Sequence, residues 1–479
     1  MSVVSHANYE KVLKEVLERI TPSGEDKEKL ELVAKKTLRI AKELAEKHNG
    51  KPMLVGSLTR NTWLADKKEF DVFILFPTKM SRKNLQSTGL KIGEEIINRL
   101  GGTYKIAYAE HPYVSGSYAG VTIDIVPCYE VKSADKLKSA VDRTPFHVRY
   151  IEKNLPETAT GEVRLLKQFC KAQNVYGADV KTGGFSGYVC ELLIINYKKF
   201  INVLNAAVGW KAGDIIDMKK FYKHDDYAKV RREFKEQPLI LIDPIDEKRN
   251  TAAALSAENF YIFKRAASQF LSTPLKEFFF GKKHEPITEA ELVKKQTERK
   301  TDFIMLKFAP PDVVPDILWP QLRRTADRLE SILRENEFIV LRKDVYTNEK
   351  NVAAILLEME VSKLPNVQKR IGPKIFDVDD AKSFLDKYKP QAIGGPFVEN
   401  NFWAVEVRRK FLTARDKLTD SLKETEEILR AKGIPSHVAK EVAKNFELID
   451  NTKKIIQLAR GDEGFGIFLR KYFEKESLI

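Results

Sequence analysis

The sequence predicts a multidomain α+β protein, and three observations carry that expectation. The chain is 479 residues long, beyond the roughly 250–300 residues at which single hydrophobic cores stop growing. Helical and strand patterns alternate at its start and give way to a mainly helical middle. Past about Lys300 the order becomes β-α-β-β-α-β, the ferredoxin-like split arrangement. Hydrophobic residues make up 43% and charged residues 31%, which excludes a disordered tail protein and a fibrous repeat.

From Glu25 to Gly50, the residues Leu30, Val33, Ala34, Thr37, Ala41, Leu44 and Ala45 recur at helical spacing, and Asn49-Gly50 supplies a stop. A long amphipathic helix should therefore open the fold. Pro52-Met-Leu-Val-Gly-Ser-Leu58 follows as a short apolar strand entering a small-residue turn, and Glu69–Phe76 as a β-rich run closed by Pro77. Lys91–Leu100 reads as a helix ending at Gly101-Gly102. Thr103–Glu110 and Val121–Val126 read as strands, the second ended by Pro127. This first unit is α+β or α/β.

In the middle, Gly161–Gln173 and Gly187–Leu204 are the clearest helices, separated by the Gly183-Gly184 turn. The third part predicts a strand at Asp302–Phe308, a helix at Ile317–Glu335, strands at Glu337–Val345 and Val352–Val361, a helix at Val378–Tyr388 and a strand at Phe402–Val407. From Arg408 onward the chain is charged and helical, with stops at Gly433 and Gly461.

Lys plus Arg number 82 against 68 Asp plus Glu, a net charge of +14. The excess lies in short clusters such as Lys229-Val-Arg-Arg232, Arg323-Arg324 and Arg408-Arg409-Lys410, which favours a broad polyanion-binding surface over a single basic tail. Solvated basic faces without a partner are the alternative. Cys128, Cys170 and Cys190 each sit in an apolar segment without metal-knuckle spacing, so neither a disulfide framework nor a zinc site is expected. No apolar run approaches the roughly 18–20 residues of a membrane helix, and the charged opening segment lacks a signal-peptide core. A cytoplasmic protein is expected.

The sharpest local signal is Gly56-Ser57 followed by Glu69-x-Asp71. Alternate residues of a strand point the same way, so both carboxylates share a face. Such a pair suits a hard divalent cation such as Mg²⁺, which takes oxygen ligands and keeps positions for substrate phosphates. Gly56 permits close backbone approach to a phosphate, and Ser57 offers a hydroxyl and an N–H. Alone, Glu-x-Asp also fits a solvent-facing strand of alternating charge. Asp124 adds weight, because it lies between Ile123 and Ile125, where an unpaired charge would be costly to bury. Three carboxylates on two strands could hold two Mg²⁺ ions, one acting on an attacking hydroxyl and one on a triphosphate. The implied chemistry is nucleotidyl transfer.

Here the sequence resembles the archaeal (class I) CCA-adding tRNA nucleotidyltransferases of the polymerase-β-like superfamily. The resemblance rests on Val55-Gly-Ser-Leu-Thr-Arg-Asn-Thr-Trp63, Glu69-Phe-Asp-Val-Phe73, Thr122-Ile-Asp-Ile-Val-Pro127, Asp142-Arg-Thr-Pro-Phe-His147, Leu165-Leu-Lys-Gln-Phe169, and Gly183-Gly-Phe-Ser-Gly-Tyr188 with Cys190-Glu-Leu-Leu193. The Gly-Ser and Glu-x-Asp elements occur across the superfamily. Arg-Thr-Pro-Phe-His and Gly-Gly-Phe-Ser-Gly-Tyr look specific to the archaeal family. The likeness is strong over residues 30 to 260 and weaker beyond.

The resemblance implies a nucleotidyltransferase mixed-sheet head (1–145), a mainly helical neck completing the nucleotide pocket (146–290), a ferredoxin-like RNA-binding body (291–410) and a helical tail (411–479). It implies addition of C, C and A to the 3′ end of tRNA from CTP and ATP, with pyrophosphate released and no template. Glu69, Asp71 and Asp124 would be the catalytic Mg²⁺ ligands, with Asp124 also helping to deprotonate the RNA 3′-hydroxyl. Gly56, Ser57 and Arg60 would meet the nucleotide phosphates, and His147, Lys167 and Tyr176 would complete the triphosphate and sugar contacts. Arg249 is placed near the incoming base or the RNA end. On their own, Lys167 reads as a helix-surface lysine, Tyr176 as a packing aromatic and His147 as a helix cap; the joint match assigns them. His224, beside Asp225, is read as solvated surface. The expected partners are the tRNA acceptor region, ATP and CTP, with no membrane, and a homodimer is left open. The competing readings are a poly(A)-type or oligoadenylate enzyme, an inactive RNA-binding homologue and a small-molecule nucleotidyltransferase.

Overall fold

The computed structural model describes residues 6–108, 110–281 and 284–475. The chain divides into two compact units at the 283/284 junction. Among the described residues, no helix is long and apolar enough to cross a membrane.

The first unit opens with α1 (His6–Ile20) and α2 (Gly24–Glu46). Ser23 caps α2 by accepting the Asp26 N–H at 3.0 Å. A five-stranded sheet follows, built from β1 (Lys51–Val55), β2 (Glu69–Pro77), β3 (Thr103–Tyr108), β4 (Pro112–Tyr118) and β5 (Val121–Glu130) in the order β1-β2-β5-β4-β3. Only the β2–β5 pair is parallel. Helix α3 (Arg82–Leu100) and α2 cover one face, burying Phe70, Val72, Ile74, Ile123 and Ile125. The strand period of two then turns Glu69, Asp71, Thr122 and Asp124 to the other face.

Three local expectations need correction. Helix α3 begins at Arg82, nine residues before Lys91, because Ser81 caps it there. Pro127 does not end β5: it pairs with Ile74 beyond the last β4 partner, Ile125, where the strand has β2 alone beside it. Strand β4 was not foreseen. The end of the predicted Thr103–Glu110 strand includes residue 109, outside the described residues; β3 ends at Tyr108.

The rest of this unit is mainly helical, as expected. It contains α4 (Thr144–Asn154), α5 (Thr160–Ala172), α6 (Gly187–Tyr197) and α7 (Phe200–Gly209) around a core with Phe169, Phe185, Phe200, Phe263, Phe270 and Phe279. The single helix predicted over Gly187–Leu204 is two, broken where Lys198 adopts φ 72°. A small sheet of β6 (Asp214–Ile216), β7 (Leu239–Asp243) and β8 (Asp246–Asn250) joins them. All three cysteines are buried and free.

In the second unit, β9 (Asp302–Phe308), β10 (Ile339–Thr347) and β11 (Ala353–Val361) form the predicted antiparallel core. The predicted last strand does not complete it. β12 (Val367–Lys374), β13 (Ala392–Glu399) and β14 (Phe402–Arg408) make a separate sheet, ordered β12-β14-β13, with the helix Val378–Tyr388. The place beside β9 is taken by β15 (Phe446–Ile449), giving the order β10-β11-β9-β15. Leu448 and Ile449 of β15 enter the cores on opposite faces of this sheet. Both segments are short and apolar, so local pattern could not choose between them. A strand from the expected helical tail therefore completes the body's sheet.

Candidate active site

Parallel pairing of β2 with β5 sets Asp71 directly opposite Asp124, with Glu69 opposite Thr122 one step along. Burial, then the neighbouring Asp124 and Glu69 carboxylates, push Asp71 up to about 7, against the opposing charges of Arg60 and Lys67. Burial also raises Asp124, opposed by a hydrogen bond from Ser115. Asp124 Oδ1 is buried without a hydrogen-bond partner. Glu69 is exposed and paired with Lys67 Nζ at 2.8 Å.

The turn after β1 lies against these acids. Gly56 has φ +95°, and a Cβ there would fall 2.9 Å from Asp71 Oδ2, so the position requires glycine on both counts. The following loop is closed by the Thr62 N–H to Ser57 O bond at 3.0 Å and by Thr59 Oγ1 donating to Gly56 O at 3.1 Å. Arg164 of α5, buried, donates to Trp63 O at 3.1 Å and Asn61 O at 2.6 Å.

Glu191 forms the main brace of this loop, and the sequence reading assigned it no role. It lies on α6 with no solvent exposure, accepting from Thr62 Oγ1 at 2.7 Å, Arg60 Nε at 3.2 Å and Lys167 Nζ at 3.3 Å. Its second oxygen is 3.0 Å from Arg60 Nη2. Burial opposes ionisation, but the Lys167 and Arg60 cations hold its carboxyl below the usual range. The available signal was one acid inside Val189-Cys-Glu-Leu-Leu-Ile-Ile195, where a buried charge requires a partner.

Lys167 is accordingly not a surface lysine. It is buried on α5, bonded to Thr62 O at 3.2 Å and Glu191, and burial lowers its pKa. Tyr176 is half-buried beside it: a Cβ at Gly187, the first residue of α6, would lie 3.1 Å from the Tyr176 hydroxyl and 3.6 Å from Lys167 Nζ. The Lys67 ammonium sits 5.9 Å from the Tyr176 ring.

His147 and Arg249 belong to a second group. Both bond Asp243 Oδ2, His147 Nε2 at 2.9 Å and Arg249 Nη1 at 2.7 Å, and Tyr188 OH donates to Oδ1 at 3.2 Å. His147 stacks on Tyr188 with centroids 4.0 Å apart. Asp243 was not singled out by sequence. Helix α6 links the groups, carrying Tyr188 toward one and Glu191 toward the other. His224 is exposed, stacked against Tyr227.

Among the described residues, no three His, Cys, Asp or Glu side chains converge as a ready ligand cage. Asp71 and Asp124 nevertheless fit a divalent cation, because their mutual repulsion and the orphaned Asp124 Oδ1 are both relieved by one. Mg²⁺ needs only one or two carboxylates beside substrate phosphates and water.

Three family models match the chain: a nucleotidyltransferase domain over residues 35–147, a tRNA nucleotidyltransferase second domain over 161–280 and a CCA-adding enzyme C-terminal domain over 299–451. The CCA-adding enzyme of Methanosarcina barkeri is 37% identical over 461 residues, 95% of this chain and 97% of that protein. That of Methanosarcina mazei is 38% identical over 461 residues, with the same coverage. The CCA-adding enzyme of Methanocaldococcus jannaschii is 41% identical over 389 residues, 79% of this chain and 84% of its own.

Proposed function

This chain belongs to the archaeal (class I) CCA-adding tRNA nucleotidyltransferases, and from that premise we propose which of its residues carry the reaction. It adds C, C and A to the 3′ end of tRNA from CTP and ATP, without a nucleic-acid template and with release of pyrophosphate. Glu69, Asp71 and Asp124 would hold two Mg²⁺ ions. The observation that supports this most directly is Asp71 opposite Asp124, with one buried oxygen left unpartnered. Bound there, such ions lower the pKa of an attacking hydroxyl and neutralise charge on the triphosphate.

Asp124 receives the proton of the RNA 3′-hydroxyl. Gly56 and Ser57 accept the nucleotide phosphates at the turn, and Arg60, held by Glu191, supplies positive charge beside them. Lys167 acts from behind the loop, orienting Thr62 and Arg60 rather than reaching solvent. Tyr176 closes this side of the pocket at the start of α6. His147 and Arg249, held by Asp243, present the sugar, base or RNA-end contacts. Base choice is made by protein groups and the RNA end, since hydrogen bonds to a base edge discriminate strongly.

The head (1–145) and neck (146–290) make the site in this reading, and the body (291–410) and tail (411–479) grip the tRNA acceptor region. Basic clusters at Arg323-Arg324 and Arg408-Arg409-Lys410 suit recognition by shape and backbone, which serves all tRNAs alike. The reaction takes place in the cytoplasm. The test is incorporation of labelled CTP and ATP, with Mg²⁺, into tRNA ending before CCA, after C and after CC. Two C and one A followed by arrest are expected; long A tails, or binding without incorporation, would overturn the reading.

A further inference from the structure

The open face of the catalytic sheet continues past the carboxylates. Asp71 is opposite Asp124, Asp124 opposite Ser115 and Ser115 opposite Lys105, while Val55 lies opposite Asp71 on the other side. Register partners on adjacent strands project from the same face. Val55, Asp71, Asp124, Ser115 and Lys105 therefore form one row across all five strands. The neighbouring row is Glu69, Thr122, Ser117 and Thr103. Lys105, Thr103, Ser117 and Thr122 are exposed, and Lys105 enters no ion pair among the described residues.

The two ends of the row differ chemically. Val55 is buried with Phe73, Val126 and Val148 and runs directly into the Gly56-Ser57 turn. The opposite end carries hydroxyls and the Lys105 ammonium, whose charge favours the ionised form of Asp124. With nucleotide phosphates at the turn and the RNA 3′-hydroxyl at Asp124, in-line displacement places the attacking oxygen opposite the leaving pyrophosphate. The RNA strand behind that oxygen must then run away from Gly56, across β4 and β3. Strands lie about 4.8 Å apart, so the Lys105 side chain starts two strands from Asp124, a separation that suits a phosphate one nucleotide behind the 3′ end.

We propose that Lys105, flanked by Ser115 and Ser117, binds the last internucleotide phosphate of the RNA and so holds the growing 3′ end on the sheet. This rests on the nucleotidyl-transfer reading of the same site. A backbone contact suits the task, because the terminal base is not the same in all three acceptors while the phosphate is. An ammonium is a compact, mobile charge that can follow a phosphate whose attached base varies.

The test uses the full-length protein, Lys105→Ala and Lys105→Arg, with tRNA ending before CCA, after C and after CC. A parallel set of tRNAs carries a neutral methylphosphonate at the last linkage. Lys105→Ala should raise the KM for all three tRNAs about 10-fold, the loss expected for a hydrogen bond to a charged group. It should leave the KM for CTP and ATP unchanged and reduce the slope of log affinity against log salt by about 0.7. Lys105→Arg should restore most of the binding. The neutral linkage should weaken the parent enzyme but not Lys105→Ala. A raised CTP KM with unchanged tRNA KM, or equal methylphosphonate effects in both proteins, would overturn the inference. Failure of the parent enzyme to add CCA would instead bring down the site reading and this inference with it.

Discussion

Lys167 Nζ lies 3.3 Å from Glu191 Oε1 in the interior, on two adjacent helices, with Thr62 bonded to both. The loop after Gly56, proposed to take the triphosphate, is thereby tied from beneath by the buried Lys167 and Glu191. The two cations, Arg60 and Lys167, share one anion, so the positive excess that remains lies under the turn beside Asp71.

Glu191→Ala leaves the buried Lys167 and the partly buried Arg60 without their anion, and breaking such a buried pair costs about 3–5 kcal/mol. Glu191→Gln, which can still accept from Thr62, should lose less. Urea midpoints at pH 7 check both; an unchanged midpoint in Glu191→Ala would remove the brace from the account.

Asp71→Asn should abolish incorporation, since losing metal-borne charge stabilisation costs several kcal/mol, roughly 10³-fold in rate, while tRNA binding stays near the parent value. The metal-free fold should behave oppositely. A carboxyl raised to about 7 when folded binds its proton more tightly than in the unfolded chain. The parent should therefore lose stability as pH rises from the ordinary carboxylate range toward 7. Melting in EDTA should show Asp71→Asn gaining on the parent between pH 5 and pH 8, and added Mg²⁺ should raise the parent's Tm.

Asp243 shows the reverse sign. Burial would raise it, but bonds from His147 and the Ile245 N–H and the charge of Arg249 hold it below the usual carboxylate range. Burial keeps His147 below its ordinary value and so neutral at pH 7, donating through Nε2; Arg249 is then the charged partner. The stabilisation from Asp243 is complete above its unfolded pKa of about 3.9 and is lost as pH falls through the depressed folded value. Asp243→Asn should be less stable than the parent at pH 7, with the gap closing below pH 4 in denaturant titrations.

Gly56→Ala forces a side chain into a positive-φ position and against Asp71 Oδ2. The backbone strain alone costs about 1–3 kcal/mol, and the displaced carboxylate should lower kcat more than Tm accounts for. A variant with normal kcat would show that Asp71 can move without consequence.

Much of the fold was legible where the signal is local. The strand at Asp302–Phe308 and the helix at Val378–Tyr388 follow from periodicity within a few turns of chain. Strand β4, Pro-Tyr-Val-Ser-Gly-Ser-Tyr, carries no clear local strand pattern; it is a strand because β5 and β3 flank it and satisfy its backbone. The exchange of β14 for β15 beside β9 has the same cause, since a strand's neighbour is chosen by which faces can be buried together. In the site, the carboxylates and the Gly-Ser turn were visible as residue types at tight spacing. Asp243 and Glu191 were not, because the partners that tie them to other elements, His147 and Tyr188 for one and Arg60, Thr62 and Lys167 for the other, lie far away in sequence.

The sequence by itself determined that Glu69 and Asp71 share a face, that Gly56 precedes them in a turn and that the chemistry calls for a divalent cation. These follow from the two-residue period of a strand and from side-chain type, both set within a few residues. Only the tertiary structure decided that Asp124 stands opposite Asp71, that Ser115 and Lys105 extend their row and that Lys167 is buried against Glu191. Strand register and helix contacts are selected by burying surfaces distant in the chain, and no local pattern contains that choice.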